Sequence, residues 1–591
     1  MYLPKLNAPD ASKVMTEVFY GYNHNLRMQQ GESYEQKNMT CDNYPVLTQR
    51  KRRGLLRTLT TPQGLGCKKQ LAWVDGGTLY YAGAAVDLGA LHIGSGEKQL
   101  VSMGSYLIVW PDGIYYNTLN PADYGTLDNE ITTSADTTFS LCDGNFDSYD
   151  MSSVTVSAAA PENPENGQLW IDTGSAPNSL MQWSEYSAQW VTVPTVYVRI
   201  GCTGIGTGFS TGDGVHIGGI SYSGENVPLG EQLEALNGDT ILQYVSDDYI
   251  VVTGLIQGTY TQEGGGVEIS REAPEMDFVI ESNNRLWGCK FGLVDGENIN
   301  EIYASKLGDF KNWRVYAGVS TDSYAVSVGS DGPFTGAITF KNYPHFFKED
   351  CYYQIYGTMP ATYEVVHTEI PGVQRGSPRS LVSEGGYLYY KSPIGVCRFD
   401  GSAAQYISGA LGDVQYIKAT AGAFRNRMMM SLQRADESWE LFSYDIGRGL
   451  WSREDGKEAL YWTSTEYDLY FIDANGKMWC VLGKEGTLED PLEWETVSAP
   501  IGYEDPNQKY LTRFSLRMRL GAGSEADLYV MYDDDGTWRR QGGRMRAGNL
   551  KTYLLPVRPR RCDHIRWKLT GRGEVELYSV AKNYESGSDA V

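Results

Sequence analysis

Short paired runs of apolar and aromatic residues, each split by a tight polar turn, recur along this chain and restrict it to a sheet architecture. Residues 70–83, QLAWVDGGTLYYAG, place an apolar strand at Leu71–Val74, a turn at Asp75-Gly76-Gly77 and a second strand at Leu79–Tyr81. That is the signature of a short-loop hairpin. Residues 99–117 repeat it with Tyr106–Trp110, a turn at Pro111-Asp112-Gly113 and Ile114–Tyr116. Looser copies follow at 337–357, 380–401, 421–451 and 459–481. Spacings of about 40 to 50 residues suit four-stranded propeller blades. The Asn283–Trp313 stretch reads as one such unit. A rise ends at Leu286 and Trp287, Gly292–Asn300 is loop-like, and a second rise at Ile302–Ala304 closes at Gly308, Asp309 and Trp313.

The composition fits. Gly (67), Tyr (42) and Trp (14) supply turn-formers and strand-formers, and charged residues are only 21% of the 591, as an all-β protein requires. The expected fold is therefore all-β: a β-propeller with an inserted β module and a C-terminal β-sandwich. Residues 1–60 are a polar lead and a first propeller strand, and 61–120 and 276–500 are the two runs of blades. Residues 121–275 are the insertion and 501–591 the sandwich. In TRFSLRMRL, Arg513, Ser515, Arg517 and Arg519 alternate with Phe514, Leu516, Met518 and Leu520, the pattern of a half-buried strand.

Several classes are excluded. No apolar run approaches the roughly 18 residues of a membrane span. The start, MYLPKLNAPDASK, has neither the basic opening nor the apolar core of a secretion signal. The nine cysteines are scattered and never form CxxC, so a disulfide framework or zinc site is not expected and a reducing compartment is. No HExxH, GxSxG or P-loop is present. The glycine-rich GIGTGFSTGDG, residues 204–214, is followed by no helix that could hold a phosphate, and is read as loop. SKLGDFKNW and YDDDGTW lack the spacing of an Asp-box, and no pair of carboxylates stands out for glycoside hydrolysis. Asp533–Asp535 could hold calcium and is read as a hairpin tip. No catalytic, cofactor or metal residues are assigned.

Charge is unevenly spread. The chain carries −23, but residues 509–572 hold fifteen Lys/Arg against six Asp/Glu, a basic cap on an acidic body. Arg50, Lys51, Arg52 and Arg53 form a second basic cluster. These four, with Arg513, Arg517 and Arg519, are candidates for contact with an acidic neighbour or with DNA phosphates, against the alternative of solvated surface. Trp170, Trp183 and Trp190 lie on successive short strands of the insertion. They are candidates for stacking on glycans, against the alternative of a small domain core.

Three separated blocks carry a family resemblance: GESYEQKNMTCDNYPVLTQRKRRG; NRLWGCKFG with EIYASKLGDFKNW; and PRRCDHIRWKLTG with VELYSVAKNYESGSD. Together they resemble the tail nozzle, or packaged-DNA stabilisation, proteins of short-tailed bacteriophages. The resemblance implies a structural virion protein of the tail, made in the bacterial cytoplasm and assembled as a homo-oligomer, a hexamer. Its ring would hang below the portal and adaptor, meet tail fibre or spike proteins, and close the channel that retains double-stranded DNA until infection. The 121–275 insertion departs from that pattern; it would build the tube tip or touch a fibre or host surface. Two other readings stand beside it, a tail-tip protein that binds host glycans and a propeller glycosidase.

Overall fold

The computed structural model describes residues 11–502 and 508–586; residues 1–10, read above for a leader, lie outside it. The fold is all-β, a β-propeller carrying an inserted β module and a C-terminal sandwich. Seven sheets run in up-and-down strand order and are the blades. Their first strands are Pro62–Lys68, Gln99–Met103, Phe278–Ser282, Gly336–Phe340, Val382–Glu384, Tyr416–Ala423 and Ala459–Ser464. The turns at Asp75-Gly76-Gly77 and Pro111-Asp112-Gly113 connect strands of the first two.

The chain divides into two units. The first takes the chain up to Leu100, Gly332–Gln354 and everything from Val365 on. Here the last blade is completed by a strand from the opposite end of the sequence. Gly54–Thr58 pairs antiparallel with Lys477–Cys480, setting Leu55 against Trp479 and Gly54 against Cys480. A Cβ on Gly54 would lie 1.7 Å from the Glu485 carbonyl oxygen, so no other residue fits at this approach. The same blade packs on the first one through Leu59, Leu65, Trp73, Tyr461, Ile472 and Met478.

The C-terminal sandwich is a single sheet of eleven strands folded over its own core. Its spine is the Lys509–Tyr532 strand, whose first half pairs with Val575–Ser586 and whose second half pairs with Ile565–Arg572. The change of partner falls at Gly521–Ser524, where Gly523 adopts φ +73° and the pairing register shifts. Phe514, Leu516, Met518 and Leu520 thereby face Leu528, Val530, Trp567 and Leu569 in one core. The sheet also recruits the chain's beginning. Ala11–Thr16 and Leu47–Gln49 pair with Val575–Ser586, and Glu32–Lys37 pairs with Glu493–Ser498.

Residues 1–60, expected to be a polar lead with a first propeller strand, supply, among the described residues, five short strands to this sheet and one, Gly54–Thr58, to the last blade. A segment such as ESYEQK shows no apolar period, because its neighbours come from the far end of the chain.

The second unit is Val101–Asp331 with Ile355–Glu364. The Asn283–Trp313 hairpin is longer than its sequence suggests. Arg285–Val294 and Glu297–Ala304 pair continuously about a two-residue turn, Asp295-Gly296, with φ of 49° and 88°, the geometry hairpins prefer. Gly292–Asn300 looks like loop because Leu293, Asp295 and Asn298 face solvent, yet the ladder passes through it.

The insertion begins at Asn129 and returns at Arg271, these two residues being paired on adjacent strands. Two sheets enclose a core of Phe139, Leu141, Val198, Ile200, Ile217, Ile250 and Ile269. The glycine-rich 204–214 run leads into the strand Gly214–Gly218 and not into a helix. One helix, Val227–Glu234, starts where the Asn226 side chain accepts from Leu229 N–H, the usual N-cap arrangement. Asn312 then fastens the insertion to the hairpin region, donating to Asp213 at 2.9 Å and Asp309 at 2.6 Å, while Arg271 pairs with Asp213.

A buried ionic cluster joins the N-terminal segment to the last two blades. Arg53 is 0% exposed and donates to Glu454 at 2.6 Å and Asp455 at 2.7 Å. Arg50 reaches Glu489 at 2.7 Å, Asp455 at 3.4 Å and the Asn38 amide at 2.8 Å. The two arginines stand between the strand Leu47–Gln49 of the C-terminal sheet and the blade-closing strand Gly54–Thr58. Their carboxylates come from the end of the sixth blade and from the chain just after the seventh. Removing one partner of such a set strands buried charge, which costs more than the set itself contributes. Arg53→Met is expected to lower the unfolding free energy by about 3 to 5 kcal/mol, measured by chemical denaturation.

Burial alone would raise the Asp455 and Glu489 carboxyls, but the Arg53 and Arg50 charges outweigh it and hold both below their ordinary values. A carboxylate depressed in the folded state stabilises above its ordinary pKa and loses that contribution as pH falls. Stability should therefore drop on acidification from about pH 5 through pH 3, and Arg53→Met should flatten that slope.

Candidate functional site

The strongest candidate lies on the outer face of the C-terminal sheet. Alternation along residues 512–520 buries Phe514, Leu516, Met518 and Leu520 and leaves Arg513, Arg517 and Arg519 exposed. The expected period-two pattern is observed, because one face of the strand seals the core. Arg519 pairs with Glu576 on the adjacent strand. Arg513 and Arg517 have no side-chain hydrogen bond or ion pair among the described residues. Across the sheet Arg513 stands beside Asn583 and Pro556, and Arg517 beside Ser579 and Thr552. Between them lies Ser515, opposite Leu554, which is 61% exposed. Four residues along a strand put the two guanidinium-bearing positions about 13 Å apart.

Several other cations of the basic cap are neutralised within the sheet. Arg540 and Arg544 bind the buried Asp527, and Arg544 also reaches Glu525 at 2.7 Å. Arg539 and Arg560 converge on Asp535 at 2.7 and 3.2 Å, and Arg566 lies 2.9 Å from Asp534. Asp533 accepts from the backbone N–H of Asp563 and His564. Residues 533–535 are thus a hairpin tip whose carboxylates are taken by internal donors. The hydrogen bond from Arg539, with one from Thr537 N–H, holds the Asp535 carboxyl down to about 2. Arg513 and Arg517 are part of the positive charge that remains, with the exposed Arg546, Arg558 and Arg572.

The cluster at residues 50–53 is corrected by the structure. Arg50 and Arg53 are consumed in the buried ionic set, and Arg52 donates to the Glu489 carbonyl. Only Lys51 is fully exposed. Arg50 and Arg53 cannot touch an adaptor or DNA without dismantling the closure of the last blade. Nothing local announces this, since Glu454, Asp455 and Glu489 lie some 400 residues away in sequence.

The three tryptophans share one small sheet in the second unit. Trp183 and Trp190 are directly opposed across strands Ser179–Ser184 and Gln189–Thr192, and Trp170 lies opposite Met181. Trp190 meets Trp170 edge-on at 5.3 Å and Trp183 at 5.6 Å. The sheet's other face supplies Leu169, Ile171 and Leu180 to the insertion core. The tryptophans therefore face away from that core; Trp170 is buried among its neighbours and Trp183 and Trp190 are half-buried.

A propeller hydrolase would need paired carboxylates where blades converge. In the first unit the opening strands of successive blades pack together: Tyr416–Ala423 against Val382–Glu384 and Ala459–Ser464, and the latter against Pro62–Lys68. These four strands carry one carboxylate, Glu384, which accepts from Asn426 N–H at 3.1 Å. Small residues replace acids here; a Cβ on Gly422 would meet Trp462 at 2.9 Å.

The pairing pattern separates structural from free arginines. Arg513→Gln with Arg517→Gln is expected to change the unfolding free energy by less than about 0.5 kcal/mol. Asp527→Ala, which strips Arg540 and Arg544 of their shared partner, should cost about 1 kcal/mol or more after allowing for their exposure. Thermal melts of the two variants test this.

No family model and no curated protein matches this chain. Among solved structures, an engineered GH43 glycoside hydrolase with endo-xylanase and exo-arabinofuranosidase activity aligns over 51% of this chain and 96% of its own, at 10% identity and a TM-score of 0.20. A GH43 arabinoxylan arabinofuranohydrolase from Bacillus subtilis covers 52% and 94%, at 8% identity and 0.17. A Trypanosoma rangeli sialidase mutant displaying trans-sialidase activity covers 97% and 96%, at 10% and 0.15. Scores this low carry no argument, and the propeller is established by the strand order of this chain itself.

Proposed function

We propose that this protein is a structural subunit of a short-tailed bacteriophage tail, a nozzle that assembles as a ring below the portal and adaptor. The observation that carries the reading is the pair of unpartnered, outward arginines, Arg513 and Arg517, on a chain of net charge −23. They stand on a rigid strand whose reverse face is fully buried, and they offer an acidic neighbour a patch that is not neutralised in advance. The three sequence blocks that resemble nozzle proteins support the same reading.

In this proposal the basic sheet docks on the adaptor. The acidic remainder of six copies lines a passage through which like-charged DNA slides without sticking, and the genome is retained by steric closure. Charge reversal at Arg513, Arg517 and Arg519 to Glu should yield particles that lack the protein and lose their DNA, scored by electron microscopy and DNA retention. Normal incorporation of the triple variant overturns the docking role. Turnover of a glycan by the purified protein, with no ring visible in micrographs, overturns the nozzle reading as a whole.

A further inference from the structure

The tryptophan face of the insertion has features that point to a ligand. Its sheet consists of Thr155–Ser157, Leu169–Asp172, Ser179–Ser184 and Gln189–Thr192. Leu169, Ile171 and Leu180 anchor the underside in the core, so the outward face is held on a rigid support. Trp170 serves as the base: it is 7% exposed, and its indole N–H is used on the Ser157 carbonyl at 2.9 Å. Trp183 and Trp190 stand further out. Their indole N–H groups have no partner among the described residues and, on half-buried rings, are open to a ligand. By strand register Thr155, Asp172 and Thr192 share this face. Tyr186, at the turn joining the two tryptophan strands, is fully exposed.

Charge narrows the ligand class. Residues 143–196 contain seven Asp/Glu and no Lys or Arg. Phosphates, sulfated or sialylated chains and nucleic acid would meet repulsion with no cation from this segment to neutralise them. Partly exposed aromatic rings, free indole donors, hydroxyls and a carboxylate are suited instead to the apolar faces and hydroxyl rims of uncharged sugars.

We propose that this face binds an uncharged, hydroxyl-rich glycan, whose pyranose rings pack on Trp183 and Trp190 while its hydroxyls accept from their indole N–H groups and donate to Asp172. The inference does not depend on the nozzle reading, because it concerns a different surface and a different measurement.

The test is titration of the full-length protein, by intrinsic fluorescence and calorimetry, with a panel of uncharged gluco-, manno- and galacto-configured hexasaccharides, and with heparin and polysialic acid as charged controls. Binding of at least one uncharged member is expected, with Trp183→Ala weakening it tenfold or more at an unchanged melting temperature. Trp190 also supports Trp170, so Tyr186→Ala and Asp172→Lys serve as second variants, and Asp172→Lys should weaken the uncharged ligand. Absence of binding across the uncharged panel, undiminished binding by Trp183→Ala, or equal binding of the charged controls overturns the proposal. Trp183→Ala should still be incorporated into particles, so loss of glycan binding and loss of docking are told apart.

Discussion

The buried arrangement of Arg50 and Arg53 with Glu454, Asp455 and Glu489 is the interaction on which the first unit depends. It sits where the chain leaves the C-terminal sheet and enters the strand that closes the last blade. Two cations and three carboxylates in a nearly dry site are costly to desolvate and gain only when mutually satisfied. The set therefore acts as a specificity device more than as a source of net stability. Alternative placements of the N-terminal strand would leave charge buried and unpaired. Gly54, directly after Arg53, gives the backbone clearance that the same closure needs.

That closure explains why the beginning and the end of the chain form one body. The N-terminal strands complete the C-terminal sheet before the chain passes through the arginine cluster into the blades. Ala11–Thr16 and Val575–Ser586 are thus bonded to each other within one sheet. The long Lys509–Tyr532 strand bends at Gly521–Ser524 so that one strand serves both halves of a closed core. Every blade edge that is hydrogen-bonded to a distant segment resists peeling.

The two candidate surfaces follow opposite electrostatic logic. On the C-terminal sheet many acids and bases are paired, and Arg513 and Arg517 are among the exposed cations that are left over. On the insertion no base exists over more than fifty residues, and the exposed chemistry is aromatic. The unpaired cations of the one surface attract anions and the uncompensated carboxylates of the other repel them.

Hairpin rhythm, glycine turns and the arginine alternation from Arg513 to Arg519 were legible in the residues because they are local. Each follows from the two-residue period of a strand or from the few residues that tolerate a tight turn. From these the sequence by itself determined an all-β propeller, an insertion and a basic terminal sheet. The tertiary structure alone decided that Arg50 and Arg53 are interior, that residues 11–49 belong to the C-terminal sheet, and that Trp170, Trp183 and Trp190 face outward. In each of these cases the deciding partner is remote in sequence or lies across a sheet face. Burial, pairing and exposure are properties of neighbours in space, and a linear pattern carries no record of which distant segment those neighbours will be.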